Sequence, residues 1–215
     1  MEPIIEIESL SKTVKGKPII TDLNLQVYAG DIFGLFGPVG AGKTTTVKMV
    51  SGIIAPTQGR ILINGCDIRK EKKEALKSLG AVIEPPKFYR YLSGYNNLAI
   101  YANRIGSVEE RIAEALEIVG LTLAKDNKVS IYSLCMKQRL AIARAFLKKP
   151  KILILDEPIN GLDLQGVIEI RNIIKELAFR ENITFFLTSH IREGMETLCN
   201  RSASIYNGRI EEEQR

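Results

Sequence analysis

Short apolar runs alternating with helical patterns predict an α/β fold built on a mostly parallel core sheet. Two observations carry this expectation. The runs Ile32-Phe33-Gly34-Leu35-Phe36, Ile152-Leu153-Ile154-Leu155 and Ile183 to Leu187 have the length and continuity of buried strands. Each is followed closely by residues suited to chemistry: a glycine-rich loop after the first, paired acids after the second, and the chain's single histidine after the third. Open α/β sheets bind ligands beyond the carboxyl ends of their strands, so this arrangement predicts a site as well as a fold.

Taken in order, residues 4 to 36 read as short strands with turns at Lys15-Gly16 and Gly30-Asp31. The loop Gly37 to Gly42 leads into a helix from about Lys43 to Val50. The strand Ile61-Leu62-Ile63 closes on the turn Asn64-Gly65, and Ala81-Val82-Ile83 follows a charged helix. From about 88 to 148 the pattern is helical, with apolar residues at helical spacing in Tyr95 to Ile105 and in Val108 to Val119. Ser107 and Glu110 have the spacing of a capping box that would start the second of these. Leu134 to Lys148 reads as a further helix. After Pro150 come the strand Ile152 to Leu155, a helix near 164 to 178, the strand Ile183 to Leu187, a helix near 191 to 199 and a final hairpin around Asn207-Gly208. The 88–148 block therefore looks like a helical insert between two halves of one domain.

Composition narrows the class. With 215 residues, 45% of them hydrophobic and 26% charged, the chain is long enough to bury a real core and is neither disordered nor collagenous. The net charge of +5 comes from scattered basic residues, so nucleic acid is not an expected partner. Cys66, Cys135 and Cys199 are odd in number and far apart, which suits a reducing cytoplasm. The start, MEPIIEIESL, does not have the pattern of a signal peptide, and nowhere do about 18 apolar residues run together.

GPVGAGKT matches the G-x-x-x-x-G-K-[ST] phosphate loop between a predicted strand and a predicted helix. Gly37, Gly40 and Gly42 would let successive backbone N–H groups turn toward phosphate, with Pro38, Val39 and Ala41 completing the cradle. Lys43 would reach the β- and γ-phosphates, Thr44 would offer its hydroxyl to Mg²⁺, and Thr45 extends the same helix start. In ILILDEP, a buried strand delivers Asp156, suited to hold Mg²⁺ through water, and Glu157, suited to orient or deprotonate the attacking water. His190 follows a third strand and would touch phosphate or water at the same edge.

GPVGAGKT, YSLCMKQRL at Tyr132 to Leu140, ILILDEP, NGLD at Asn160 to Asp163 and TSH ending at His190 resemble, in order and spacing, an ABC transporter ATP-binding subunit over essentially the whole chain. GAVIEPPKFYRYLSGYNNL, Gly80 to Leu98, is most similar to the bacitracin and lantibiotic self-immunity branch, which carries Glu where most relatives carry Gln, here Glu84. The resemblance implies a P-loop nucleoside triphosphate hydrolase fold: a single ABC domain over 1–215 with a mostly parallel core sheet, an N-terminal antiparallel β subdomain and an inserted helical subdomain. The nucleotide-binding core would take about 1–87 and 149–215, and the helical subdomain about 88–148.

It further implies an ATPase using ATP and Mg²⁺, working as a head-to-tail dimer in which each ATP lies between the phosphate loop of one chain and Ser133 of the other. Asp163 would sit at that seam, and Glu84 would contact the metal or the attacking water. The partners would be a second copy and integral membrane permease subunits, placing the chain on the cytoplasmic face of the membrane and in the export of a peptide antibiotic or similar compound. Three residues depart from the family pattern. Val14 stands where an aromatic ring usually stacks on adenine, Val39 where Asn is usual, and Cys135 where a signature glycine is usual. Were position 135 to need positive φ or very close phosphate contact, Cys135 would strain the closed dimer. That motivates the alternative of a nucleotide-binding regulatory subunit that hydrolyses poorly. A soluble non-transport ABC ATPase, the other alternative, fits the length and single motif set less well.

Overall fold

The computed structural model describes residues 2–102 and 108–214. The chain opens with two antiparallel strands, β1 (Pro3–Val14) and β2 (Lys17–Tyr28), then β3 (Ile32–Phe36) and helix α1 (Lys43–Val50). Next come β4 (Gln58–Ile63), β5 (Cys66–Asp67), the single turn α2 (Lys72–Ala75) and β6 (Leu79–Val82). Helices α3 (Gly94–Ala102), α4 (Val108–Ile118) and α5 (Leu134–Phe146) precede β7 (Ile152–Asp156), α6 (Leu164–Arg180), β8 (Thr184–Ser189), β9 (Arg201–Tyr206) and β10 (Arg209–Gln214).

The strands form two sheets. A four-stranded antiparallel sheet runs β2-β1-β4-β5, and a six-stranded sheet runs β10-β9-β3-β8-β7-β6. In the second, every pairing is parallel except β10 with β9. Alternation along its central strands divides the core in two. Leu153, Leu155, Phe185 and Leu187 face the layer of α3 to α6, while Ile152, Ile154, Phe186, Phe33 and Leu35 face α1 and the antiparallel sheet. Phe33 and Phe186 meet edge to face, 5.7 Å between ring centres at 77°. Each such fully buried side chain contributes roughly 1.5–3 kcal/mol, and this two-faced burial is why these strands are continuous apolar runs.

Helix starts follow local chemistry. Ser133 caps α5, its hydroxyl accepting from the Met136 N–H at 3.1 Å. Asp163 caps α6, accepting from Gly166 N–H at 2.8 Å. The capping box expected at Ser107 and the end of the helix expected through Ile105 lie outside the described residues.

Residues 191–199 are not the expected helix but a series of turns. Gly194 takes a left-handed φ of +79°, which breaks the helical repeat, and the segment is held instead by isolated turn bonds and by buried Met195 and Leu198. The charged helix expected before β6 shrinks to α2, one turn whose side chains are mostly solvated. Among the described residues, no helix is long and apolar enough to cross a membrane.

Candidate nucleotide site

The strand order decides what meets. Because β3, β8 and β7 are adjacent and parallel, with Phe36 opposite Ser189 and Asp156 opposite Thr188, their carboxyl ends lie side by side. The loop after β3 is tied down by Gly37 N–H donating to Ser189 O at 3.2 Å, and the chain after β7 by Glu157 N–H donating to Thr188 O at 3.2 Å. The result is a hollow of about 450 Å³ lined by Val39, Gly40, Gly42, Lys43, Thr44 and Thr45 of the glycine loop and α1, with Glu157, Asn160, His190 and Ile19.

Two glycines in the loop are required by geometry. A β-carbon at Gly37 would stand 2.2 Å from Ile205 O, and Gly42 has φ +108° with Ile20 against the place a β-carbon would take. Pro38 and Ala41 close the loop through Ala41 N–H donating to Pro38 O at 3.1 Å. Val39 projects into solvent at the rim. Gly42 caps α1 without a side-chain bond, and no acid lies in the first turn, so the positive end of α1 opens on the hollow.

Lys43 is the buried cation of the site, 5% exposed. Its Nζ donates to Gly37 O at 2.7 Å and Pro38 O at 3.1 Å and lies 3.1 Å from Glu157 Oε1. The second Glu157 oxygen lies 2.7 Å from His190 Nδ1 and accepts from His190 N–H at 3.1 Å. Glu157 thus bridges Lys43 and His190, from a left-handed backbone (φ +51°) that few non-glycine residues adopt. Asp156, one residue earlier, accepts the Thr188 hydroxyl on Oδ1, which fixes its carboxylate.

Glu84 stands apart from this group. It lies beyond β6 with φ +70° and pairs with Lys48 of α1, and the Lys48 ammonium holds its carboxyl below the usual range. The loop that follows is clamped by Arg144 of α5, whose guanidinium sits 5.0 Å from the rings of both Phe88 and Tyr101. Val14, at the end of β1, is half-exposed and does not line the hollow, whereas Ile19 does.

Ser133, Cys135 and Asp163 form a second group. None lines the hollow; they gather where the first turns of α5 and α6 meet. Cys135 is in the first turn of α5 and is not among the residues with positive φ, so the left-handed backbone that would strain it is absent: a helical turn accepts a β-carbon freely. Its thiol donates to Glu169 of α6 at 3.3 Å.

Comparisons with known proteins place the fold in a family. The profile of the family described as ABC transporter matches residues 20–160. The bacitracin transport ATP-binding protein BcrA of Bacillus licheniformis is 45% identical over 214 residues, covering 99% of this chain and 70% of the relative. The chain belongs to the ABC transporter family. As an ABC ATP-binding subunit it binds ATP and is an ATPase. The lantibiotic transport ATP-binding protein SrtF of Streptococcus pyogenes is 37% identical over 207 residues, 96% of this chain and 89% of the relative. The structure of cbiO1 from Clostridium perfringens, part of the ABC transporter complex cbiONQ, superposes with a TM-score of 0.91 at 28% identity, covering 99% of this chain and 88% of that one.

Two further residues line the ABC hollow. Asn160 opens the NGLD segment and is placed by the turn after Glu157, whose carbonyl accepts the Asn160 N–H at 3.1 Å. Ile19 arrives from β2 through tertiary packing alone: its carbonyl lies 3.2 Å from the place of a Gly42 β-carbon.

Proposed function

We propose that this ABC subunit hydrolyses Mg-ATP between two copies of itself and thereby drives a membrane permease that exports a peptide antibiotic or a compound like it. The observation that carries the two-chain part is the division of site residues into two separate groups. The second group is flanked by exposed apolar Leu134, Leu164 and Ile168, surface that a second chain would bury. The start of α5 carries no acid in its first turn, and its positive end is suited to the γ-phosphate of a nucleotide held by the other copy.

Within the first group, the loop N–H groups and Lys43 would hold the β- and γ-phosphates. The arriving γ-phosphate takes the ammonium of Lys43 from Glu157, which stays fixed by His190. Freed of its cation, Glu157 accepts a proton from the attacking water, and His190 orients that carboxylate toward the phosphate. The hydroxyl of Thr44 and the carboxylate of Asp156 are hard oxygen donors of the kind Mg²⁺ takes, so the residues present fit that ion and would hold it. Bound there, Mg²⁺ would neutralise charge developing on the phosphate oxygens.

Glu84 would leave Lys48 for the metal or the water when nucleotide is bound, and because its loop is clamped to α3 and α5 by Arg144, that exchange moves the helical layer that faces the permease. The cargo reading is supported by the names of BcrA and SrtF. The chain would then work at the cytoplasmic face of the membrane, held there by its permease.

The two-chain reading is tested by mixing. Lys43→Ala and a Ser133→Glu variant are each expected to be inactive alone, yet together they form one intact site per mixed dimer and recover hydrolysis. Recovery of no activity across all mixing ratios would overturn it. The cargo is tested by expressing the chain with its permease and measuring susceptibility to bacitracin and to a lantibiotic; unchanged susceptibility to both removes that assignment.

A further inference from the structure

One carboxylate on α6 gathers side chains from both helices whose starts form the second group of site residues. Glu169 Oε2 accepts from the Cys135 thiol at 3.3 Å and lies 3.6 Å from Arg139 Nη1, while Gln165 Nε2 donates to Oε1 at 3.3 Å. Cys135 and Arg139 are four residues apart on α5 and Gln165 is four before Glu169 on α6, so all reach the carboxylate from facing turns. The helices are close here: a β-carbon at Gly166 would lie 3.4 Å from the Cys135 sulfur. Arg139 is 18% exposed and its Nε is buried without a hydrogen-bond partner among the described residues, and Glu169 is the carboxylate it pairs with there. Burial, and then the Glu169 carboxylate, push the Cys135 thiol up to about 11, so it remains protonated and able to donate at neutral pH.

We propose that Glu169 is a positioning residue for ATP hydrolysis: it locks the first turn of α5, with Ser133 and Cys135, to the first turn of α6, with Asp163, so that both reach the other copy's nucleotide as one face. Cys135 takes part in that lock by supplying a donor that glycine lacks. The proposal rests on the two-chain reading above for its effect on hydrolysis, though not for the lock itself.

Two arms test it, using Glu169→Ala and Glu169→Gln in the full chain. The first reads the lock in the nucleotide-free protein: carbamidomethylation of Cys135 at pH 8, followed by peptide mass spectrometry, should run at least about threefold faster in Glu169→Ala, since thiolate fraction and access both rise. The second reads catalysis: kcat should fall about tenfold in Glu169→Ala, the loss expected for removing hydrogen bonds to a charged group, with ATP affinity of the monomer within about twofold and most of kcat restored in Glu169→Gln. A brace that only stabilises the fold would lower the melting temperature without this split between kcat and affinity. An alkylation rate equal to that of the parent overturns the lock. A kcat within about twofold of the parent overturns the positioning role. If the mixing experiment fails while kcat still drops, the two-chain reading is what fails, and Glu169 acts within its own chain. Should Glu169→Ala not fold, Glu169→Gln combined with Cys135→Ala removes the thiol bond and the ion pair and is expected to give the same split.

Discussion

Replacing Glu157 with Gln should tighten ATP binding while stopping hydrolysis, and the structure sets the size of both effects. In the nucleotide-free site Lys43 Nζ lies 3.1 Å from Glu157 Oε1, with the two side chains 5% and 20% exposed. Unit charges at that separation interact by about 5 kcal/mol at an effective dielectric constant of about 20. Desolvation and side-chain ordering cancel most of this, leaving a net of about 1 kcal/mol that an incoming phosphate must displace. Glutamine keeps an amide oxygen for the His190 N–H and removes the competing charge, so ATP affinity without Mg²⁺ should rise about fivefold. Repulsion between carboxylate and γ-phosphate disappears as well and acts in the same direction. Loss of the general base should lower hydrolysis by about 10² to 10⁴. Equilibrium titration with a fluorescent ATP analogue reads the first effect and single-turnover phosphate release the second. Affinity that is unchanged or weaker would refute the competition between Glu157 and phosphate for Lys43. Hydrolysis within about tenfold of the parent would refute the base assignment.

Lys43→Ala should weaken ATP binding by at least about 100-fold, the loss of about two charge-assisted hydrogen bonds, with the far-UV dichroism spectrum unchanged; calorimetric titration that finds equal affinity would remove the phosphate-loop assignment. Ile19→Ala should cost about fivefold in ATP affinity through lost apolar contact while Val14→Ala stays within about twofold, measured by the same titration. Thermal stability should fall with alkalinity through Cys199, whose thiol burial raises from 9.0 to about 12. Because its folded value lies above its unfolded one, the stabilisation is complete below pH 9 and is lost as pH rises toward 12, so the decline in melting temperature above pH 9 should be shallower in Cys199→Ala.

What the sequence made legible, and what it hid, divides along a physical line. The glycine loop, Asp156, Glu157 and His190 are each written within a few residues of a buried strand, and once β3, β8 and β7 are parallel neighbours their ends must meet. Local pattern therefore suffices for them. The partners these residues choose are set by packing between distant segments and leave no local trace. Lys48 pairs with Glu84 across 36 positions, Ile19 reaches the hollow from another sheet, and Cys135 finds Glu169 34 positions away. Residues 191–199 failed as a helix for a related reason: Met195 and Leu198 have the spacing of an apolar face, but Gly194, just before them, takes the left-handed conformation. Cys135 shows the reverse case. Read as a residue standing in for glycine, it would strain a backbone of positive φ, and the first turn of α5 holds ordinary helical backbone instead, where a side chain can be put to use. A glycine at 135 would add about 1 kcal/mol of backbone freedom to be lost on folding and would leave Glu169 without the thiol, so Cys135→Gly should lower the melting temperature of this chain, and an unchanged value would refute that account of the contact between α5 and α6.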